Sequence, residues 1–111
     1  MTVYLVCGGR DFSDVSRVCD ELSARSVTAV VHGGAKGADS IAGDWARENG
    51  IAEVVVNPQW AFYNKAAGSV RNGWMLEFVR VDEVLAFKGG NGTADMVKQA
   101  RIAGVRVTEV K

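Results

Sequence analysis

A glycine-rich stretch near the end of the chain, from Lys88 to Met96, has the residue types of a phosphate-binding loop. Glycines and small polar residues fill its middle: Gly89, Gly90, Asn91, Gly92 and Thr93. Backbone N–H groups that no Cβ atom shields, at the start of a helix, are suited to binding a phosphate group. We therefore expect a phosphate-bearing ligand on residues 89–93. Whether the protein also does chemistry on that ligand is a separate question.

Two more glycine-rich turns have the same character. Each directly follows an apolar, β-branched run that is typical of a buried strand. The residues expected to contact ligand there are Gly8, Gly9 and Arg10 in the first turn and Gly33, Gly34, Lys36 and Gly37 in the second. Glycine between a strand and a helix often serves tight geometry alone, so a purely structural role for these glycines is the alternative interpretation.

The apolar pattern of the chain alternates between strand-like and helix-like segments. The predicted strands are 2–7, 27–32, 53–56, 83–87 and 105–110, and the predicted helices are 14–25, 38–49, 70–80 and 93–103. Ser13 is the expected N-cap of the first helix. The third helix is expected to turn Val70, Trp74 and Phe78 inward. This alternation predicts a single α/β domain over residues 1–111, with a parallel sheet covered by helices on both faces.

The order of the strands follows from the handedness of their connections. Right-handed crossovers make 3-2-1-4-5 the simplest order for a five-stranded, Rossmann-like three-layer sandwich. The alternating pattern of the last strand predicts an edge position. Ligands of such sheets bind beyond the carboxyl ends of the strands, where the winding reverses. Because all three glycine-rich turns follow strands, the fold is expected to bring them to one rim, beside strands one and four.

Composition and missing motifs limit the possible functions. The sequence contains neither the G-x-x-x-x-G-K-[ST] of Walker A proteins nor, in its first turn, the G-x-G-x-x-G of dinucleotide dehydrogenases. Basic and acidic residues number 13 each, so the formal net charge is zero, which disfavours nucleic acid as the main partner. Cys7 and Cys19 match no metal-ligand spacing, and two buried thiols suit the reducing cytoplasm. No leader or membrane-spanning run is evident, and we expect no metal and no cofactor.

Four stretches of the chain resemble the YspA-like (cpYpsA-related) branch of the SLOG superfamily. They are 8–12 (GGRDF), 32–39 (HGGAKGAD), 65–72 (KAAGSVRN) and 89–96 (GGNGTADM). These stretches occur in the same order as the motifs of the family and at similar spacing. The superfamily also includes the LOG phosphoribohydrolases and the Smf/DprA proteins. The resemblance implies a Rossmann-like fold and a nucleotide-related ligand, and the LOG precedent implies a homodimer.

The LOG enzymes remove the base from nucleoside 5′-monophosphates with an arginine and with the glutamate of their P-G-G-x-G-T-x-x-E motif. By this resemblance Arg71, followed by Asn72, matches the catalytic arginine, and Met96 stands at the glutamate position. Asp95 is one residue early, about 100° around a helix, and would reach inward if the last helix began with a frayed turn at Thr93. Otherwise its charge would only favour the helix dipole. A phosphoribohydrolase using Arg71 and Asp95 is therefore the alternative to a protein that only binds, and a Smf/DprA-like nucleic-acid-binding module is a second alternative.

Several side chains near these motifs have two interpretations. Arg10 would clamp a phosphate or pair with Asp11. Lys36 would add a cation to its turn or lie in solvent. Asp39 would accept a ribose hydroxyl or cap its own helix. His32 would be a hydrogen-bonded core histidine or a catalyst.

The remaining candidates lie around the start of the third helix. Lys65 and Asn72 flank its entry, and the resemblance implies that they contact ligand. Three aromatic residues precede them: Trp60, Phe62 and Tyr63. These rings would form a lid that stacks on a base, pack a subunit interface or close the core.

Overall fold

Five apolar runs form the central sheet of the protein. In a computed structural model that describes residues 2–111, they are β1 Val3–Cys7, β2 Ala29–His32, β3 Ala52–Val55, β4 Glu83–Ala86 and β5 Arg106–Glu109. All are parallel, and their order is β3-β2-β1-β4-β5, which confirms the predicted order and the Rossmann-like α/β fold. The last strand, β5, pairs with β4 alone and has the predicted edge position.

Helices cover both faces of this sheet. They are α1 Val15–Ser23, α2 Ala38–Glu48, α3 Trp60–Tyr63, α4 Ala67–Phe78 and α5 Asn91–Ile102. The short α3 and a 3-10 turn over residues 64–66 lie in the stretch before α4. The helices α1 and α2 pack on one face, and α4 and α5 pack on the other. Within residues 2–111, no helix is both long enough and apolar enough to cross a membrane.

The central strand β1 supplies both cores, because successive side chains of a strand point to opposite faces. Val6 packs with Val18 and Leu22 under α1 and α2. Leu5 packs with Met75 and Met96 under α4 and α5. Full burial of such a side chain contributes about 1.5–3 kcal/mol. The two cores fix both helix layers against the carboxyl end of β1, where the glycine-rich turns meet.

The start of α5 differs from the prediction. The Ala94 N–H donates to the Gly90 carbonyl oxygen at 3.0 Å, so the helix begins at Asn91 rather than at Thr93. Asp95 therefore lies in the second turn, and the frayed first turn that would have let it reach inward does not occur.

The starts of α1 and α4 also differ from the prediction. Asp14, not Ser13, is the N-cap of α1, because its carboxylate accepts the N–H of Arg17 at 3.0 Å. The helix α4 begins at Ala67 rather than at residue 70. Phe78, its last residue, is 73% exposed, because Leu76 and Val79 pack against the core in its place. The predicted inward position of Phe78 is therefore wrong.

The first and second glycine-rich turns are in close contact at Gly37. Its φ is +83°, and a Cβ atom there would overlap the Gly9 carbonyl oxygen. We expect Gly37→Ala to cost about 1–3 kcal/mol for a positive-φ backbone conformation that favours glycine, and about 1–3 kcal/mol more for the overlap. Gly50→Ala is the control, because Gly50 has φ +65° but open space around it. Urea unfolding measures both, and equal losses would contradict a close contact between the turns.

Candidate functional site

A crevice of about 360 Å³ opens at the carboxyl end of β1, where the winding of the sheet reverses. The predicted site residues that line it are Gly8, Gly9, Arg10, Asp39, Arg71, Asn72, Gly90, Gly92 and Thr93. Its floor is apolar and consists of Val6, Cys7, Met75 and Met96. Burial raises the pKa of the Cys7 thiol to about 12, so this thiol is protonated at neutral pH and is not a nucleophile.

Other predicted site residues lie outside this lining: Gly33, Gly34, Lys36, Gly37, Lys65, Gly89, Asn91 and Asp95. Lys36, Lys65 and Asn91 are exposed. Gly89 is the first residue of the third glycine-rich turn, residues 89–93, and a Cβ atom there would overlap the Thr93 hydroxyl. The ligand contacts of these residues stay predictions.

Asp39 and Arg71 hold the backbone at Gly33 from opposite sides. The Gly33 N–H donates to Asp39 Oδ2 at 2.9 Å, and Arg71 Nη1 donates to the Gly33 carbonyl oxygen. A Cβ atom on Gly33 would overlap the guanidinium. The second glycine-rich turn thus has a glycine at this position because Arg71 lies directly against it.

Asp39 is a buried carboxylate that faces the crevice. Its Oδ2 also accepts the Ala35 N–H at 3.3 Å, and Oδ1 has no hydrogen bond to any residue between 2 and 111. Burial raises the pKa of Asp39, while the backbone N–H groups of Ala35 and Gly33 act in the opposite direction. The free Oδ1 atom is therefore an available acceptor for a ligand hydroxyl.

Arg71 supplies a fixed cation to the same space. Its Nε donates to Asn72 Oδ1 at 3.0 Å, in addition to the bond from Nη1 to Gly33. Burial lowers the pKa of Arg71. The negative charge of the nearby Asp39 opposes this shift, and the positive charge of Arg10 adds to it. A guanidinium keeps its charge at any ordinary pH, so Arg71 gives the crevice a permanent positive charge.

Asn72 and Asp95 support the third glycine-rich turn from behind. Asn72 Nδ2 donates to the Gly92 carbonyl oxygen at 3.3 Å and to Asp95 Oδ2 at 2.9 Å. Asp95 also accepts hydrogen bonds from Gln99 at 2.8 Å and from the Ser69 hydroxyl at 3.2 Å. Its carboxylate thus lies in the contact between α4 and α5. A catalytic role for Asp95 stays a prediction.

Three helices begin at the crevice without a side-chain cap. They are α2, α4 and α5, whereas the Asp14 side chain caps α1. The first N–H groups of a helix have no partner within the helix. In α5 these groups include the N–H groups of Gly92 and Thr93, which line the crevice. The uncapped start of α5 is therefore suited to an anion.

Three glycines of the lining have no steric reason to be glycine. A Cβ atom on Gly68, Gly90 or Gly92 would meet nothing within 4 Å. Gly8, by contrast, is required by close packing, since a Cβ atom there would come within 2.6 Å of the Ala38 Cβ. The space in front of the three open glycines is accessible to a ligand. The sequence prediction missed Gly68 because the predicted helix began at residue 70, whereas the observed α4 begins at Ala67 and has Gly68 in its first turn.

A larger groove of about 1000 Å³ lies on the other side of the third glycine-rich turn. It runs between α5 and the end of β5, and apolar side chains such as Phe87 and Val97 line it. Two of the charged side chains that line the groove form an ion pair, in which Arg101 Nη2 lies 2.9 Å from Glu109 Oε2. We assign the candidate site to the crevice because the buried polar side chains Asp39 and Asn72 converge there. Among residues 2–111, no group of three or more His, Cys, Asp and Glu side chains is placed to hold a metal ion.

Comparison with known proteins identifies the family of this chain. The model of the YAcAr family, described as the YspA, cpYpsA-related SLOG family, matches residues 2–63. The gene 61 protein of Mycobacterium phage D29 is 36% identical over 121 aligned residues, which cover 96% of this chain and 94% of that protein. The chain belongs to this SLOG family. The resemblance predicted from the sequence is confirmed, and SLOG membership suggests nucleotide-related binding or processing.

His32 supports the second glycine-rich turn of this SLOG domain from within the core. It is 4% exposed, its Nδ1 accepts the Gly34 N–H at 3.0 Å, and its Nε2 lies 2.5 Å from Glu53 Oε2. The acceptor role of Nδ1 leaves the ring proton on Nε2, which donates to Glu53. Glu53 also accepts a hydrogen bond from Arg47 Nη1. The structure thus gives His32 the role of a hydrogen-bonded core residue, and the sequence carried no signal for its partner Glu53.

The Glu53 contacts predict a pH-dependent stability. The hydrogen bonds from His32 and then from Arg47 lower the pKa of Glu53 below its ordinary value of 4.5. A carboxylate with a lowered folded pKa stabilises the fold fully above its unfolded pKa, and this contribution disappears as the pH falls through the folded pKa. We expect the free energy of unfolding to fall below about pH 4.5 more steeply in the wild type than in Glu53→Gln. Urea unfolding between pH 7 and pH 3 measures this, and parallel curves would contradict it.

Proposed function

We propose that this SLOG domain binds a nucleotide or nucleotide-derived ligand in the crevice, with a phosphate group on residues 89–93. The observation that carries the proposal is the start of α5. It has no side-chain cap, and a Cβ atom on Gly90 or Gly92 would meet nothing within 4 Å. Free N–H groups behind open glycines are what a phosphate oxygen requires.

The rest of the lining supports a ligand with a sugar as well as a phosphate. Arg71 and Arg10 contribute positive charge beside the loop. The free Oδ1 atom of Asp39 is suited to a ribose hydroxyl, because its other oxygen is held by backbone N–H groups. A volume of about 360 Å³ also lies within the usual range of small-molecule sites, about 300–1,000 Å³.

We propose binding rather than glycosidic cleavage as the function. Cleavage of a glycosidic bond needs carboxyl groups beside the reacting sugar carbon. The residue at the glutamate position of LOG enzymes is Met96, which is 1% exposed in the apolar floor. The neighbouring Asp95 is engaged by three side chains, two of them on α4. The surroundings of Met96 and Asp95 therefore support binding over a cleavage reaction of the LOG type.

A ligand series tests the proposed function. At ten times its Kd a ligand stabilises a protein by about 1.4 kcal/mol, which raises the Tm of a domain of this size by roughly 5 °C. We expect millimolar AMP and ribose 5-phosphate to raise the Tm, and adenosine, which lacks a phosphate, to raise it much less. Absence of a shift with any phosphate-bearing compound would overturn the proposal. In the same samples, release of free adenine that is lost in Arg71→Ala and Asp95→Ala would identify a phosphoribohydrolase instead.

Gly92→Ala should separate stability from binding. Alanine favours a helix over glycine by up to about 1 kcal/mol, and the new methyl group meets no protein atom, so the Tm should stay equal or rise. The same methyl group lies in the space that we assign to the phosphate. We therefore expect the affinity for AMP, measured by calorimetry, to fall at least about tenfold, equivalent to 1.4 kcal/mol.

Gly73→Ala is the matched control for this substitution. Gly73 lies in α4 outside the crevice lining, and a Cβ atom there would meet only the end of the Gln99 side chain, at 3.2 Å. We expect Gly73→Ala to leave the affinity for AMP unchanged. If Gly92→Ala also bound AMP as tightly as the wild type, the phosphate would not lie on the start of α5.

A further inference from the structure

Trp60 is the one aromatic side chain among residues 2–111 that lines the crevice. It is the first residue of α3, shortly before α4 supplies Gly68 and Arg71 to the same lining. The side chain is 50% exposed. A large ring thus lies at the mouth of the site with half of its surface in contact with solvent.

The neighbouring aromatic residues have other positions. Tyr63 packs edge-on against Trp74, with 5.7 Å between the ring centres. Phe62 is 80% exposed and lies outside the crevice lining. Trp45 is buried, and its indole N–H donates to the Ser23 hydroxyl at 3.2 Å.

Trp60 has none of these contacts. Within the part of the chain from residue 2 to residue 111, its ring pairs with no other aromatic ring and its indole N–H donates no hydrogen bond. Solvent exposure of such a large apolar surface is unfavourable, and burial against a flat partner would remove that cost. The fold therefore leaves a half-exposed indole ring at the crevice without an aromatic or hydrogen-bonding partner among residues 2–111.

The other groups of the crevice indicate what that flat partner is. The anion-binding groups lie at the start of α5 and at Arg71, and the open space before Gly68 and Gly90 lies within the same lining. A ligand that meets a cationic phosphate site and an aromatic face together has the chemistry of a nucleotide. Stacking on an aromatic side chain tolerates any base, because every base has a π-face.

We propose that Trp60 stacks on the base of the bound nucleotide, so that the site recognises a nucleotide with an intact base in preference to a sugar phosphate. This inference rests on the proposed function, because it takes the phosphate position on residues 89–93 as given. It assigns a recognition residue to the site and limits the class of ligand.

Calorimetry with AMP, UMP and ribose 5-phosphate tests the assignment on the full chain. We expect the wild type to bind both nucleotides more tightly than ribose 5-phosphate. Trp60→Ala should lower the affinity for the nucleotides about 5- to 150-fold and leave the affinity for ribose 5-phosphate unchanged. Trp60→Phe should keep most of the affinity, because it keeps a π-face. Phe62→Ala, in the same helix but outside the crevice, is the control and should bind like the wild type.

The outcomes separate this inference from the proposed function. If the wild type binds none of the three compounds, the proposed function fails and the role of Trp60 fails with it. If ribose 5-phosphate binds but the nucleotides bind no more tightly, or Trp60→Ala binds AMP like the wild type, only the stacking assignment is overturned. A loss of affinity shared equally by AMP and ribose 5-phosphate, with a change of oligomeric state in light scattering, would make Trp60 a subunit contact instead.

A second measurement does not depend on the alanine variant folding. Stacking on a base alters the environment of an indole ring, so AMP should quench the tryptophan fluorescence of the wild type. The quenching should disappear in Trp60→Phe, which retains Trp45 and Trp74. Quenching that persists in Trp60→Phe would overturn the assignment.

Discussion

The backbone at Gly33 is held from both faces of the sheet, and the crevice depends on this arrangement. Asp39, on α2, accepts the Gly33 N–H, and Arg71, on α4, donates to the Gly33 carbonyl oxygen. A buried polar group that loses its partner costs about 1–3 kcal/mol, so both hydrogen bonds help to hold the Gly33 backbone, which connects the two side chains. The two helix layers, which pack on separate cores, are thereby joined at the edge where ligand would enter. The same contacts leave a carboxylate oxygen and a guanidinium facing the crevice.

The glycines of the site fall into two groups with different physical causes. Gly33 and Gly89 permit close contacts, since a Cβ atom on either would overlap a neighbouring side chain. No close contact within the protein requires glycine at Gly68, Gly90 or Gly92, because a Cβ atom there would meet nothing within 4 Å. Glycine in a helix costs up to about 1 kcal/mol relative to alanine, and at Gly68 and Gly92 no packing offsets that cost. A bound phosphate close to the backbone is the compensation that the proposed function supplies.

The sequence was sufficient for the architecture because strand and helix patterns alternate and right-handed crossovers leave few strand orders. It also placed three glycine-rich turns at one rim. It could not give the start of α5, which depends on a single hydrogen bond from Ala94 to Gly90 and which decides where Asp95 lies. Nor could it pair His32 with Glu53, because that contact depends on how β3 lies beside β2. Local sequence patterns predict helices and strands, whereas the partner of a side chain depends on how distant segments of the chain pack together.

The features of the crevice that argue against glycosidic cleavage also support the binding function that we propose. Met96 gives the floor an apolar side chain where a LOG enzyme has a carboxylate, so no negative charge is available there to stabilise an oxocarbenium ion. Loss of that charge also removes repulsion of a phosphate group. An apolar floor further lowers the local dielectric, which strengthens the attraction between Arg71 and an anion. Interactions of this kind would stabilise a bound ligand without favouring a transition state, which is what the proposed binding function requires.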